Sequence, residues 1–233
     1  MGKNMHSVNY NHPILVSGSL SCINVMNIEK AIQEINESEL SFLHYDVVDG
    51  RFNNCFVFGD LILEKLRPHT DKPIEVHLAV ENVEAYIEPF IKAGADYIAV
   101  HYETKCNHKE VFAKIRELGA KPILAFRCDS EVPDDFISLA KEVEWILKLT
   151  VNPGYAGQKI QPQAIQHIEV MRQQLQQHGL TTKIQADGNI NSETIPRVVK
   201  AGADILTGGT SGLFQKGKTV QENLDNMRKA AIL

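Results

Sequence analysis

The sequence predicts an α/β protein, a single closed (β/α)8 barrel of the TIM type that occupies residues 1–233. About eight strand-like apolar runs alternate with helix-like segments, and this alternation implies parallel strands joined by right-handed crossovers. Eight such units fit a chain of 233 residues as one barrel. We find no linker or low-complexity segment that would divide the chain. An open doubly wound sheet is the second choice, since no GxGxxG motif follows the first strand.

Each predicted strand is a short apolar run bounded by polar or glycine-rich sequence. In chain order these runs are ILVSGSL (14–20), FLHYDVV (42–48), PIEVHLA (73–79), DYIAVHY (96–102), PILAFRC (122–128), WILKLTV (145–151), TKIQADG (182–188) and ADILTGG (203–209). Amphipathic stretches between the runs predict helices, among them NIEKAIQEI (27–35), VEAYIEPFIKA (83–93), HKEVFAKIREL (108–118) and AIQHIEVMRQQLQQH (164–178).

An internal repeat supports this organisation. KAGADYIAV (92–100) and KAGADILTG (200–208) each contain a helix end, a glycine at the expected left-handed C-cap, and the start of a strand. Two copies far apart in the chain indicate that it is assembled from similar βα units.

Composition and charge exclude several classes of protein. A net charge of -5 without any Lys/Arg-rich block argues against nucleic-acid binding. No apolar run approaches the length of a membrane span, and the polar first dozen residues predict that no signal peptide is present. The four cysteines contain no CxxC pair, which is typical of a reduced intracellular protein without a zinc knuckle. We expect a cytoplasmic protein.

The second strand carries two polar residues where burial is expected. In LHYDVVDG (43–50) the strand period of two places His44 and Asp46 on the same face. His77 lies near the end of the third strand and Asp187 at the end of the seventh, so all four should point into the mouth of the barrel. Two imidazoles and two carboxylates suit a divalent Zn, Fe, Mn or Co ion, which would offset the cost of burying the aspartates.

Each of these residues also has a structural interpretation when it is taken alone. A single histidine can bond to a backbone carbonyl in the core, and a single aspartate can begin a turn. Asp49 is interpreted as a cap for the loop after the second strand. His101, at the end of the fourth strand, is assigned a structural or supporting role.

Glycine-rich segments follow the last three strands. They are VNPGYAGQ (151–158), DGN (187–189) and GGTSG (208–212). Glycine lets backbone N–H groups approach an anion closely, and the loops after strands seven and eight of such barrels commonly bind phosphate. Each segment alone could be an ordinary turn, but together they favour a phosphorylated ligand held mainly by amide dipoles.

The chain contains, in this order, the motifs LHYDVVDG, EVHL, VNPGYAGQ, ADGN and GGTSGLF, with AGAD before strands four and eight. These motifs resemble those of the ribulose-phosphate 3-epimerase family. The resemblance extends from about Ser17 to Phe214. It implies an isomerase that interconverts D-ribulose 5-phosphate and D-xylulose 5-phosphate through an enediolate stabilised by a divalent metal. It also implies a homo-oligomer, such as a dimer or hexamer.

The resemblance further assigns roles to individual positions. His44, Asp46, His77 and Asp187 correspond to metal ligands, and Asp46 and Asp187 also to the two acid/base carboxylates. The positions assigned to substrate binding are Ser21, His77, Gly154, Tyr155, Ala156, Gly157, Gly188, Asn189, Gly209 and Thr210.

Several positions depart from the family pattern beside the expected substrate. The family usually has methionine where this chain has Val48, Ala79 and Leu149. The loop GRFNNC (50–55), the segment RCDS (127–130) and Asn189 in place of a glycine also differ. The ending GTSGLF is closer to the allulose-6-phosphate 3-epimerase branch, so the choice between a pentulose and a hexulose phosphate stays open.

Two other functions compete with the epimerase. Metal-dependent β-keto acid decarboxylases on the same barrel have a DxKxxD pattern at the second strand, whereas this chain has no lysine there. A sugar-phosphate-binding paralogue without turnover is suggested by the replaced methionines, while the intact set of histidines and aspartates argues against it.

Overall fold

The computed structural model describes residues 6–152 and 157–232. In this part of the chain the strands are β1 (Leu15–Ser19), β2 (Phe42–Asp49), β3 (Phe56–Val57), β4 (Ile74–Ala79), β5 (Tyr97–His101), β6 (Lys121–Phe126), β7 (Trp145–Leu149), β8 (Lys183–Ile190) and β9 (Ile205–Gly208). The α-helices are α1 (Ile28–Asn36), α2 (Asp60–Leu66), α3 (Glu84–Ala93), α4 (His108–Glu117), α5 (Phe136–Ala140), α6 (Pro162–Gln177), α7 (Ile195–Ala201) and α8 (Val220–Ala230). No helix of the described residues has the length and apolarity needed to cross a membrane.

Eight of these strands form a closed parallel barrel. The strand order is β1-β9-β8-β7-β6-β5-β4-β2, and β1 also pairs with β2, which closes the ring. The short strand β3 pairs antiparallel with the end of β2 and lies outside the ring. The predicted (β/α)8 fold and its single domain are therefore confirmed. The four quoted helices lie within one or two residues of their predicted bounds, whereas β3 was not predicted.

The barrel interior changes character along its axis. Its lower part holds large aromatic rings, with Trp145 packed 5.3 Å from Phe42 and 4.7 Å from Tyr97, centroid to centroid. Fully burying a ring such as Phe42 stabilises the fold by about 1.5–3 kcal/mol. Trp145 Nε1 then donates to Gln185 Oε1 at 2.6 Å, where a polar layer begins. The apolar base thus supports a polar upper barrel.

The AGAD repeat builds the same brace twice. After α3, Gly94 has a φ of +130°, and the carboxylate of Asp96 accepts from Arg67 Nη1 at 3.0 Å and from the backbone N–H of Ile74 at 2.9 Å. The second copy repeats this arrangement with Gly202, Asp204, Arg172 and Ile184. Each brace ties a helix end to the start of a neighbouring strand.

Gly94→Ala is expected to destabilise the protein by about 1–3 kcal/mol. A Cβ at position 94 would lie 2.6 Å from Cγ and Cδ of Arg67, which is held by Asp96, and the φ would be strained as well. Urea unfolding followed by circular dichroism measures the change. Gly179→Ala is the matched control, because Gly179 also has a positive φ of +67° but a Cβ there meets nothing within 4 Å. Equal losses in both variants would show that the Arg67 contact contributes nothing.

Candidate metal centre and active-site cavity

Three barrel strands bring the four predicted ligands together. Asp46 of β2 is in register with His77 of β4, and Asp187 extends from the upper part of β8. One potential ligand atom from each of His44, Asp46, His77 and Asp187 lies within 4.8 Å of the others. Residues separated by more than a hundred positions therefore form one cluster at the C-terminal mouth of the barrel.

Two particular nitrogens face the carboxylates. His44 Nε2 lies 2.9 Å from Asp46 Oδ1 and 3.5 Å from Asp187 Oδ2. His77 Nδ1 lies 3.3 Å from Asp46 Oδ1. The side chains of Asp46 and Asp187 are 19% and 15% exposed, so both are largely desolvated yet can be reached from the mouth.

The cluster shifts the pKa of its members in opposite directions. Burial opposes ionisation of Asp46, but His44 and His77 outweigh it and hold the pKa of Asp46 well below its usual value. Burial raises the pKa of Asp187 to about 6, with His44 opposing and Asp46 adding to the rise. Burial disfavours the His44 imidazolium, yet the charges of Asp46, Glu75 and Asp187 raise the pKa of His44 well above 6.5. The carboxylates of the cluster therefore favour a positively charged group beside them.

This donor set fits a divalent cation. Two imidazole nitrogens and two carboxylate oxygens are ligands that Zn, Fe, Mn and Co accept. Two acids crowded in a desolvated pocket repel each other, and a dication would offset that repulsion. We therefore identify His44, Asp46, His77 and Asp187 as residues that could hold a metal.

Two serines bind the second oxygen of Asp46. Ser19 Oγ donates to Asp46 Oδ2 at 2.8 Å and Ser21 Oγ donates to it at 2.7 Å. Oδ1 is thereby left to the histidines. Ser21, predicted to contact substrate, is exposed at the mouth, whereas Ser19 was not predicted. Its position two residues before Ser21 on a strand end could have indicated it.

Sequence reasoning also missed Glu75, a fully buried carboxylate on β4. Its Oε2 lies 2.8 Å from His44 Nδ1, so it fixes the ring and leaves Nε2 toward the candidate metal. The signal was available in EVHL, because Glu75 and His77 share a face of a buried strand just as His44 and Asp46 do.

Asp49 and His101, for which the sequence suggested structural or supporting roles, make hydrogen bonds of that kind in the fold. Asp49 Oδ1 accepts from the N–H groups of Arg51 at 2.9 Å and Phe52 at 2.8 Å, and its Oδ2 accepts from that of Glu81 at 2.8 Å. It caps the loop after β2, as predicted. His101 is buried beside His77, with their Nε2 atoms 2.8 Å apart.

A cavity of about 660 Å³ opens above the cluster, a size typical of small-molecule sites. Its wall includes the predicted substrate-binding residues Ser21, His77, Gly157, Gly188, Asn189, Gly209 and Thr210. Gly154, Tyr155 and Ala156 lie outside the described residues. Val48, Ala79 and Leu149, the three positions without methionine, also line the cavity. The departures from the family pattern therefore border the space where a substrate would lie.

The last residues of β8 and the loop after β9 meet on one side of this cavity. Gly188 has a φ of +119°, and a Cβ there would lie 2.5 Å from Val151 Cγ2. Asn189 follows with a φ of +50°, a conformation that Asn adopts more readily than most residues. Ser211 Oγ donates to Asn189 Oδ1 at 3.3 Å and so links the loop after β9 to the end of β8.

The fold and the site together define a class: a parallel (β/α)8 barrel with a candidate metal centre at its C-terminal mouth. Residues 15–214 match the model of the ribulose-phosphate 3-epimerase family. The chain is 34% identical to ribulose-phosphate 3-epimerase of Methanocaldococcus jannaschii, over 94% of this chain and 92% of that protein. It is 32% identical to the Bacillus subtilis protein of the same name, over 90% and 97% of the two chains. The chain belongs to the ribulose-phosphate 3-epimerase family, an isomerase family, as its motifs indicated.

Solved structures agree on the fold alone. 3-Hexulose-6-phosphate synthase from Salmonella typhimurium superposes with a TM-score of 0.65 at 16% identity, covering 94% of this chain and 99% of that one. The tryptophan synthase A-subunit from the hyperthermophile Pyrococcus furiosus gives 0.61 at 14% identity, covering 94% and 97%. At such identities the likeness supports the barrel and carries no function.

Proposed function

We propose that this protein is a metal-dependent 3-epimerase that interconverts D-ribulose 5-phosphate and D-xylulose 5-phosphate. The observation that carries the proposal is the placement of Asp46 and Asp187 on separate strands within one cluster that could hold a metal. Membership of the family supports the reaction and implies a phosphorylated sugar as the substrate.

The two carboxylates suit the chemistry of inversion at C3. One carboxylate removes the C3 proton from one face of the ketose, and the other delivers a proton to the opposite face of the planar enediolate. The opposed pKa shifts of Asp46 and Asp187 make Asp187, with its pKa raised to about 6, the carboxyl group of the pair that takes up a proton more readily, while Asp46 stays ionised. After a turnover the two protonation states are reversed, so the same pair serves the reverse reaction.

His44 and His77 would complete the set that holds the cation. A divalent cation, when bound, supplies positive charge that stabilises the negative charge developing on the substrate oxygens. Ser19 and Ser21 orient Asp46 by donating to Oδ2. The phosphate would be bound by residues of the glycine-rich segments, namely Gly157, Gly188, Asn189, Gly209 and Thr210. We propose Gly154, Tyr155 and Ala156 for the same end of the substrate.

The second candidate substrate is D-allulose 6-phosphate. Three features favour it: smaller side chains at Val48 and Ala79 in the cavity wall, Asn189 in place of glycine, and the GTSGLF ending. The deciding experiment is a coupled assay of both ketose phosphates after separate additions of Zn²⁺, Fe²⁺, Mn²⁺ and Co²⁺. A kcat/KM higher for ribulose 5-phosphate supports the main proposal, and a higher value for allulose 6-phosphate replaces it with the second.

Proton exchange distinguishes the epimerase from a binding paralogue and from a lyase. Incubation of substrate in deuterated water is expected to place deuterium at C3 without release of carbon dioxide. Binding of substrate with no exchange would identify the paralogue, and carbon dioxide release from a β-keto acid would identify the lyase.

We further propose a homo-oligomer in the cytoplasm that binds neither nucleic acid nor membrane. The acidic net charge of -5 supports the absence of nucleic acid. Light scattering on the purified chain measures the oligomeric state, and a monomer at micromolar concentration would contradict it.

A further inference from the structure

The hydrogen bonds of His77 continue away from the candidate metal centre. His77 Nε2 lies 2.8 Å from His101 Nε2, and His101 Nδ1 lies 2.8 Å from Glu103 Oε2. On the other side of the ring, His77 Nδ1 lies 3.3 Å from Asp46 Oδ1. The result is a chain of carboxylate, two imidazoles and carboxylate. His101 is fully buried and His77 is 2% exposed, so water does not satisfy their nitrogens instead.

The number of available protons decides which nitrogen of each imidazole is protonated in this series of hydrogen bonds. An imidazole that binds a metal is neutral, and a neutral imidazole carries one N–H, so in the metal-binding state of the site the three contacts share two protons. The two short contacts lie toward Glu103, and the 3.3 Å contact lies toward Asp46. The distances therefore place protons on His101 Nδ1 and His77 Nε2. The reverse arrangement would set the lone pair of His101 Nδ1 against a carboxylate oxygen at 2.8 Å, which is repulsive.

Glu103 holds its end of the chain firmly. Its Oε1 accepts from the backbone N–H of Arg127 at 2.8 Å and from Ser130 Oγ, while its Oε2 faces His101. A backbone N–H can only donate. Oε1 is therefore an acceptor. Burial opposes ionisation of Glu103, but His101, Ser130 and the N–H of Arg127 outweigh it and lower the pKa of Glu103 to about 2, so the carboxylate is ionised and Oε2 can only accept.

We propose that Glu103, acting through His101, is a positioning residue that holds His77 in the tautomer with a free lone pair on Nδ1. That nitrogen faces the cluster that would bind a divalent cation, and a protonated Nδ1 could not be a ligand. The inference rests on the metal site of the proposed function and deepens it, because it names a group two imidazoles away that controls ligand availability.

Glu103→Gln is expected to reverse the tautomers. An amide has one acceptor oxygen, which the N–H of Arg127 retains, so the NH2 group faces His101 Nδ1. His101 then accepts at Nδ1 and donates at Nε2, and His77 becomes protonated on Nδ1. We expect Zn²⁺ affinity, measured by chelator competition, to fall by about 10- to 100-fold.

Glu75→Gln is the matched control. Glu75 Oε2 alone meets both His44 Nδ1, at 2.8 Å, and Gln185 Nε2, at 2.9 Å, whereas Oε1 has no hydrogen-bond partner among the described residues. A glutamine can therefore keep its oxygen toward both donors. This variant also removes one negative charge, and from a residue in direct contact with a candidate ligand. It is expected to leave both histidine tautomers unchanged and to weaken Zn²⁺ binding less than Glu103→Gln does.

Nitrogen-15 NMR of the full chain, labelled at histidine, reads the tautomers directly in metal-free and Zn²⁺-loaded samples. The expected result is His77 protonated on Nε2 in the unsubstituted protein and on Nδ1 in Glu103→Gln. His77 protonated on Nδ1 in the unsubstituted protein would overturn the proposal, and this measurement needs no variant to fold. A larger affinity loss in Glu75→Gln, with the His77 tautomer unchanged in Glu103→Gln, would assign the effect to charge and also overturn it. No measurement uses a sugar phosphate, so failure of the epimerase proposal remains distinguishable.

Discussion

Replacing Asp187 with asparagine is expected to lower kcat for ketose-phosphate epimerisation by about 10³-fold or more, within the range that positioned proton transfer contributes. Asparagine preserves the size of the side chain, but its amide neither takes nor delivers a proton at C3. Asp46→Asn is expected to have an equally large effect, since each carboxylate serves one face of the substrate. Activity is measured by the coupled assay, with metal content determined on the same samples.

Isotope exchange sharpens this test. At saturating metal, Asp187→Asn should retain deuterium exchange at C3 for only one of the two epimers, and Asp46→Asn for only the other. Asp225→Asn is the control, because Asp225 is exposed on α8 and contacts Gln221; it should retain full activity. A kcat within about tenfold of the unsubstituted protein in either cluster variant, below the least that positioned proton transfer contributes, would remove that carboxylate from the mechanism.

Removing divalent metal by chelation is expected to lower activity by about 10²- to 10³-fold or more. This corresponds to the loss of several kcal/mol of transition-state stabilisation. Charge developing on the substrate oxygens would otherwise meet two carboxylates and no compensating cation. Adding back Zn²⁺, Fe²⁺, Mn²⁺ or Co²⁺ separately should restore activity and identify the preferred ion.

Thermal unfolding gives the same test a readout independent of activity. A metal present at about 100 times its Kd stabilises the native state by about 2.7 kcal/mol, so Tm should rise on metal addition. His44→Ala, which removes one candidate ligand, should abolish both the rise in Tm and the recovery of activity. Full activity in a protein with no measurable bound metal would refute the metal dependence.

Much of the fold could be predicted because it depends on local patterns. The alternation of apolar strands with amphipathic helices indicated the barrel, and the two AGAD segments marked helix ends where Gly94 and Gly202 adopt positive φ. The position of the site along the barrel axis could also be predicted, since the C-terminal strand ends of such barrels meet at one mouth. The short strand β3 escaped prediction because two residues carry no periodicity.

The four candidate ligands could be predicted from the sequence because polar residues in buried strands are costly and therefore conspicuous. Glu75 carries the same signal, since it shares the face of a buried strand with His77. Ser19 and Glu103 carried much weaker ones, because a serine or a glutamate near a strand end is ordinary at the surface.

By itself the sequence determined which strand faces carry histidines and carboxylates, since the period of two follows from backbone geometry alone. Only the tertiary structure decided which nitrogen of each ring faces the cluster. That choice depends on Glu75 beside His44 and on Glu103, which acts on His77 through His101. The contacts of His44 with Glu75 and of His77 with His101 arise from the register of neighbouring barrel strands, which the sequence alone does not give. Hydrogen bonds depend on donor–acceptor angles and on distances to within a few tenths of an ångström, and closure of the barrel sets both.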